Sequence, residues 1–258
     1  MKPSAHIDLG AMLKRLHLAT VARVVAEFEE RAAAEGWTHR EFLVHLVTEE
    51  VAHRSGTRVS RLTRQARFPY LKSIEEFDFT FQASVRRQQL GPFLGPEFVT
   101  EGRNLILSGR PGRGKTHIAV ALAYRAIQNG FDARFVTATA LIDELAAAAS
   151  SGTLREVTAS YVQPHVLVID EVGYLQHADA AANVLYGVID HRSLRRKPIV
   201  FTTNKRLNEW GAVLHDPQLA EALLDRILER GHHIALGGKS WRTKDLDPAD
   251  LEAKEALS

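Results

Sequence analysis

Eight residues near the middle of the chain limit its fold more than any other feature. Residues 109–116 read Gly-Arg-Pro-Gly-Arg-Gly-Lys-Thr, which is a glycine, four residues and then Gly-Lys-Thr. Glycines let a backbone turn several N–H groups towards one anion, and a helix N-terminus adds positive potential there. The segment lies between an apolar run at 103–107 and a helical stretch at 117–129. We therefore predict a strand–loop–helix unit that binds phosphate groups.

The residue types in this loop assign separate roles. We expect the Lys115 ammonium to contact the terminal phosphates of a nucleotide and the Thr116 hydroxyl to be a ligand of Mg²⁺. The expected nucleotide contacts of the loop and the first helical turn are Gly109, Pro111, Gly112, Arg113, Gly114, Lys115, Thr116 and His117.

Short apolar runs alternate with helix-length stretches from residue 103 onward. The predicted strands are 103–107, 133–136, 165–169, 198–202 and a weaker fifth run at 233–236. This order is typical of an α/β fold in which helices cover both faces of a parallel sheet.

Polar residues follow two of these runs at the point where each strand ends. Asp170 and Glu171 follow the third strand, and Asn204 follows the fourth. Ligands of open α/β sheets bind at the carboxyl ends of the strands. We expect Asp170 to hold Mg²⁺ through its water shell, Glu171 to deprotonate the attacking water, and Asn204 to help position that water.

The first seventy residues carry helical periodicity and no strand signal. Gly36 is a predicted helix end, Thr38 and Glu41 form a capping-box pattern, and Gly56 is expected to weaken or interrupt a third helix. The expected organisation is a helical DNA-binding and oligomerisation module at 1–70, a linker at 71–102, a nucleotide-binding core at 103–245 and a tail at 246–258.

Composition excludes several classes of protein and directs attention to one basic segment. The chain has no cysteine, which excludes disulfides and cysteine-bound zinc, and no signal peptide or membrane span is evident, so the expected location is the cytoplasm. The net charge is only +2, yet residues 51–72 contain no acid. Arginines in that stretch recur every three or four residues, as a phosphate-binding helix face requires: Arg54, Arg58, Arg61 and Arg64.

The phosphate loop, the acidic pair and the strand-end asparagine together resemble the Walker A, Walker B and sensor 1 elements of AAA+ ATPases. The resemblance covers roughly residues 88–244 and implies ATP and Mg²⁺ as cofactors and a sheet in the order 5-1-4-3-2. The chain is more closely similar to the IstB/DnaC group. The similar segments are 68–79, Glu209-Trp210, 222–228 and 237–242, although that group more often has tyrosine at the position of Trp241.

This resemblance implies roles for two further arginines. Arg226 is expected to be an arginine finger that reaches a neighbouring subunit, with Arg230 as the alternative, and the active form would then be an oligomer. Arg242 is expected to contact the phosphates within its own subunit as a sensor 2 residue. The chain after Arg242 is too short for the additional helical lid of larger AAA+ proteins, so a standard sensor 2 geometry is not implied.

Three functions remain open at this point, and a metabolic small-molecule kinase is a distant fourth, because we identify no acceptor site for it. The first is an ATPase that helps transposition, oligomerises on duplex DNA and engages a transposase. The second is a loader of a replicative helicase, which would favour single-stranded DNA. The third is a nucleotide-gated scaffold with negligible turnover, against which the presence of Glu171 argues.

Some other features suggest function less strongly. A second basic cluster either lines the inside of an assembly or is ordinary surface, and its members are Arg192, Arg195, Arg196, Lys197, Lys205 and Arg206. We interpret His232 and His233 as strand-edge residues and not as metal ligands. Trp37 and Trp210 are expected to be packing anchors.

Overall fold

The computed structural model describes residues 8–173 and 181–244. Residues up to Arg61 form one compact unit, and residues from Leu62 onward form a second. We refer to them as the helical unit and the sheet unit. The predicted tail at 246–258 lies outside the described residues.

The helical unit consists of α1 (Leu9–Arg15), α2 (Ala19–Glu35) and most of α3 (His39–Gln65). Gly36 ends α2 in the left-handed region with φ 69°, as predicted. The capping box before α3 is also confirmed, since the Thr38 backbone N–H donates to Glu41 Oε2 at 2.7 Å and the Glu41 N–H donates to Thr38 Oγ1 at 3.3 Å. Gly56 does not interrupt α3. A single glycine costs about 1 kcal/mol in a helix, too little to break one of this length.

A small core and one buried acid hold this unit together. The buried apolar residues are Leu13, Val21, Val24, Phe28 and Leu46. Glu50 is also buried and accepts hydrogen bonds from the backbone N–H groups of Thr20 (3.0 Å) and Val21 (3.2 Å). It therefore caps the first turn of α2, whose own N-cap residue Leu18 has no side-chain acceptor.

The sheet unit contains five parallel strands in the order β2-β3-β4-β1-β5. This is the predicted order, read from the other edge. The strands are β1 (Asn104–Ser108), β2 (Ala133–Thr137), β3 (Val166–Val172), β4 (Ile199–Thr203) and β5 (Gly231–Ala235). The predicted runs are thus confirmed, and β3 is longer than expected because it includes both acids.

Helices flank this sheet, and α6 contacts β1, β2, β3 and β4. The helices of the unit are α4 (Arg87–Leu90), α5 (Glu97–Thr100), α6 (Lys115–Gln128), α7 (Ala138–Ser151), α8 (Leu154–Val162), α9 (Ala181–Leu194), α10 (Trp210–Val213) and α11 (Pro217–Leu228). Strands β1 and β4 are buried along their whole length, which explains their apolar sequences. Trp210 is fully buried against Phe201, as expected of a packing anchor.

Arg192 corrects one expectation from the sequence. It neither lies on the protein surface nor lines the inside of an assembly, because its side chain is completely buried. Its guanidinium donates to the carbonyl oxygens of Tyr161, Pro164, His165 and Pro198 at 2.8–2.9 Å. Burial lowers the pKa of Arg192 to about 9. The residue joins the segments that lead into β3 and β4, so it stabilises the sheet.

No helix within residues 8–173 and 181–244 is both long enough and apolar enough to cross a membrane.

Candidate nucleotide site

The loop between β1 and α6 has the backbone that the sequence pattern predicts. Gly112 and Gly114 adopt φ values of 74° and 86°, which favour glycine. Space is limiting as well: a Cβ on Gly112 would lie 2.0 Å from Ser240 Oγ, and one on Gly114 would lie 2.6 Å from Phe77 Cε2. Larger residues are therefore excluded both by conformation and by close neighbours.

Lys115 and Thr116 begin α6 directly after this loop. The Lys115 ammonium donates to the carbonyl oxygens of Gly109 (2.6 Å) and Arg110 (3.0 Å). Burial lowers the pKa of Lys115, and the negative charge of Asp170 opposes this shift. The Thr116 hydroxyl donates to Asp170 Oδ1 at 3.0 Å. The loop and the acidic strand are thus in direct contact at the expected metal position.

A β-bulge in β3 presents the two acids. Ile169 pairs with Phe201 and Val172 with Thr203, so Asp170 and Glu171 together lie opposite the single residue Thr202. Glu171 has a φ of 60°, an uncommon value for a residue with a side chain. Asp170 is 5% exposed, whereas Glu171 is exposed. The bulge therefore separates a buried carboxylate, which is suited to holding a metal, from an exposed carboxylate, which is suited to accepting a proton from water.

Asn204 follows β4 beside this bulge. A Cβ on Gly173 would lie 2.7 Å from Asn204 Oδ1, so the amide sits against the end of β3. Glu171 and Asn204 line the same cavity as Lys115 and Thr116. The predicted sensor asparagine and the acidic pair therefore meet at one place.

This cavity has a volume of about 610 Å³, and part of its wall was not expected from the sequence. Tyr70, the last residue of the predicted helical module, lies in this wall, and the predicted linker supplies Lys72, Glu76, Phe77, Asp78, Phe81 and Gln82. Gln82 Nε2 donates to the Arg113 carbonyl at 2.9 Å, and the His117 imidazole Nε2 lies 2.9 Å from the Ser73 carbonyl. The sequence signal for this wall is the set of aromatic residues at 77, 79 and 81, since aromatic side chains bury large apolar areas.

The segment after β5 closes another side of the cavity. The Trp241 backbone N–H donates to the Gly112 carbonyl at 2.8 Å, and its ring lies edge-on to Phe81 at 5.0 Å. Arg242 lines the cavity in its own chain, as a sensor 2 role requires.

Arg226 lies elsewhere, on α11. Its Nη2 donates to Asp190 Oδ1 on α9 at 2.9 Å, and the side chain also bonds to Tyr186. Arg226 is not among the described residues that line the cavity. It is partly exposed, with 38% of the side chain accessible.

The four arginines expected to bind DNA all lie on α3. Arg54, Arg58, Arg61 and Arg64 are exposed. Arg54 is also engaged within the helical unit, because its Nε donates to Glu50 Oε1 at 2.7 Å and its Nη2 donates to the His17 carbonyl. It is therefore less available to a ligand than its exposure suggests.

The residues present fit a nucleoside triphosphate with Mg²⁺. The volume lies in the range of small-molecule sites. The cavity lining offers glycine backbone, an ammonium, a hydroxyl and carboxylates, together with aromatic rings. Hydroxyl and carboxylate oxygens are ligands that Mg²⁺ prefers.

Comparison with known proteins agrees with this geometry. The family model described as IstB-like ATP binding protein matches residues 11–249. The protein named as ATP-binding protein of insertion sequence IS5376, from Geobacillus stearothermophilus, is 35% identical over 90% of this chain and 92% of its own length. The ATP-binding protein of insertion sequence IS21, from Pseudomonas aeruginosa, is 32% identical over 96% of this chain and 93% of its own length.

Solved structures show the same fold at lower identity. The crystal structure of DnaI superposes with a TM-score of 0.56 and 21% identity, covering 69% of this chain and 94% of that one. With its sheet order and phosphate loop, the core is of the AAA+ type. Because the family model spans most of the sequence, the chain belongs to the family of IstB-like ATP-binding proteins.

Proposed function

We propose that this chain is an ATP-dependent helper of DNA transposition, which hydrolyses ATP, assembles with its own copies on duplex DNA and engages a transposase. The observation that carries the proposal is that the phosphate loop, Glu171 and Asn204 line one cavity and that Thr116 in this cavity donates a hydrogen bond to Asp170. The names of the relatives, which refer to insertion sequences, supply the biological setting.

Binding of ATP and Mg²⁺ would involve the loop residues and both strand ends. Gly109, Pro111, Gly112, Arg113, Gly114, Lys115, Thr116, His117 and Arg242 would hold the nucleotide, and Thr116 and Asp170 the metal. When bound, Mg²⁺ would neutralise charge on the phosphates. The exposed Glu171 carboxylate would accept a proton from water that Asn204 orients.

The Glu171→Gln variant tests hydrolysis directly. We expect it to bind ATP like the parent chain and to lose most phosphate release, because the amide cannot accept the proton. Equal and negligible turnover in both chains would support the scaffold alternative and contradict the ATPase proposal.

The position of Arg226 favours action on a neighbouring subunit. It is partly exposed and lies outside the lining of its own cavity. Mixing Arg226→Ala chains with Glu171→Gln chains tests this arrangement. If Arg226 acts across an interface, some pairs in the mixture combine an intact Glu171 site with an intact neighbouring Arg226, and turnover rises above that of either variant alone. No gain would contradict action in trans.

Duplex DNA would bind to α3 through the exposed arginines Arg54, Arg58, Arg61 and Arg64, whose positive charges would contact phosphates. Fluorescence anisotropy with duplex and single-stranded DNA, each with ATP, ADP or no nucleotide, tests this proposal. ATP-dependent binding to duplex is expected. Preference for single strands would favour helicase loading, and absence of binding to both would leave only the nucleotide site.

A further inference from the structure

One buried hydroxyl lies opposite both acids of the β3 bulge. Thr202 on β4 is 1% exposed, and the register shift between Ile169 and Val172 makes it the residue that faces Asp170 and Glu171. A bulge leaves one residue without its usual ladder partner, and the backbone groups there need another bond.

The Thr202 hydroxyl supplies these bonds to both acids. It accepts a hydrogen bond from the Glu171 backbone N–H at 3.0 Å and donates one to Asp170 Oδ1. A hydroxyl has one donor and two acceptor positions, so a single oxygen can serve both partners at once. Valine has the same shape but provides neither bond.

A second hydroxyl also contacts Asp170, but it has a different expected role. Thr116 Oγ1 donates to both carboxylate oxygens, at 3.0 and 3.2 Å. Under the proposed function, Thr116 is itself a metal ligand. Thr202 is then the neighbour that can orient Asp170 from the strand side without binding the metal.

We propose that Thr202 is a positioning residue, whose hydroxyl orients the Asp170 carboxylate for the metal and holds the left-handed backbone of Glu171. This inference rests on the proposed ATPase function for the roles of the two acids. Thr202 contacts both acids, and the role that we assign to it acts through them.

The test compares Thr202→Val, which removes the hydroxyl at constant shape, with Thr202→Ser, which keeps it. For each full-length chain we would measure the maximal rate of phosphate release, the Mg²⁺ concentration for half-maximal rate, nucleotide affinity in EDTA and the melting temperature. We expect Thr202→Val to lower the rate about 10- to 100-fold and to raise the Mg²⁺ requirement, since loss of a supporting bond to a metal ligand has effects of this size. Affinity in EDTA should stay within about twofold, and Thr202→Ser should resemble the parent.

A purely structural role predicts a different pattern. Destabilisation alone lowers the melting temperature and the amount of active protein, and leaves the Mg²⁺ requirement unchanged. If Thr202→Val does not fold, the pair Thr202→Ser and Thr202→Ala replaces it, since these two variants differ only by the hydroxyl oxygen.

Two results would overturn the inference: a Thr202→Val chain with the parent's rate and Mg²⁺ requirement, or a folded Thr202→Ser chain as slow as Thr202→Val. Failure of the proposed function would look different, because the parent itself would show no turnover. In that case the gain in nucleotide affinity on adding Mg²⁺ remains measurable, and Thr202→Val should still reduce it. An unchanged gain would overturn the positioning role.

Discussion

The two units of this protein use charged side chains in opposite ways. In the sheet unit, the charges expected to act on ATP are placed by strand ends and by a loop, and Asp170 is almost fully buried. The charges expected to act on DNA are exposed on one long helix, and three of these four arginines belong to the helical unit. Hydrolysis requires groups at fixed distances, whereas phosphate contacts to DNA require only positive charge at a repeated spacing.

Each unit also buries a charged residue that has a structural role. Glu50 accepts backbone N–H groups at the start of α2, and Arg192 donates to backbone carbonyls around β3 and β4. Buried charges are tolerated when such bonds satisfy them. The two units therefore differ in where the charges expected to act on ligands lie. They do not differ in how their structural charges are stabilised, because backbone hydrogen bonds satisfy both Glu50 and Arg192.

The largest expected effect is on turnover at the sheet unit. Arg226→Ala should reduce ATP hydrolysis about 10³-fold, because an arginine finger typically contributes that much or more. ATP affinity should be unchanged, since Arg226 does not line its own cavity. Steady-state phosphate release and nucleotide titration measure the two quantities.

Two controls accompany this variant. Asp190→Asn removes the ion pair with Arg226 but retains the arginine, and it should keep most activity. Arg230→Ala tests the alternative finger. Normal turnover in Arg226→Ala together with loss in Arg230→Ala would move the assignment to Arg230.

The next effect is on nucleotide binding. Lys115→Ala should weaken ATP affinity by about 10- to 100-fold, because it removes charge-assisted hydrogen bonds to phosphate that contribute about 1.5–3 kcal/mol. Binding of DNA without nucleotide should not change. A parallel loss of nucleotide-free DNA binding would contradict the separation of roles between the units.

A smaller effect is expected from the helical unit. Replacing Arg58 and Arg61 together with glutamine should weaken duplex binding and reduce the slope of log affinity against log salt by about 2, one for each phosphate contact. Arg23→Gln, which alters an exposed arginine on α2, is the matched control. Equal slopes for the double variant and the parent would remove α3 from the DNA-binding surface.

The smallest effect is a pH dependence within the helical unit. Burial raises the pKa of Glu50, but hydrogen bonds from Arg54, Val21 and Thr20 outweigh it and the pKa is lowered overall. A lowered pKa stabilises the folded state above the unfolded value of about 4.3, and this contribution is lost as the pH falls below it. The protection of the Thr20 and Val21 amides, measured as their hydrogen-exchange rates relative to the unfolded chain at the same pH, should fall at acidic pH and depend less on pH in Glu50→Gln. Glu49→Gln, an exposed control, should behave like the parent.

Much of the sheet unit could be predicted because its signals are local. Each buried strand is a continuous apolar run, and the phosphate loop lies within eight consecutive residues. The capping box at Thr38 and the helix end at Gly36 also depend on neighbouring residues only. Of the two expected effects of Gly56, interruption of the helix was wrong, because the cost of one glycine is too small to break a helix of this length.

The sequence by itself determined the strands, the phosphate loop and the acids at the end of β3, because each follows from a short pattern of residue types. The strand order followed only from the resemblance that these patterns carry. Only the tertiary structure decided which residues face one another across the chain. It placed Thr202 opposite the bulge, folded the segment around Phe77 and Gln82 over the phosphate loop, and buried Arg192 among carbonyls. These contacts join residues far apart in sequence, and their geometry depends on strand register and packing, which no local pattern specifies.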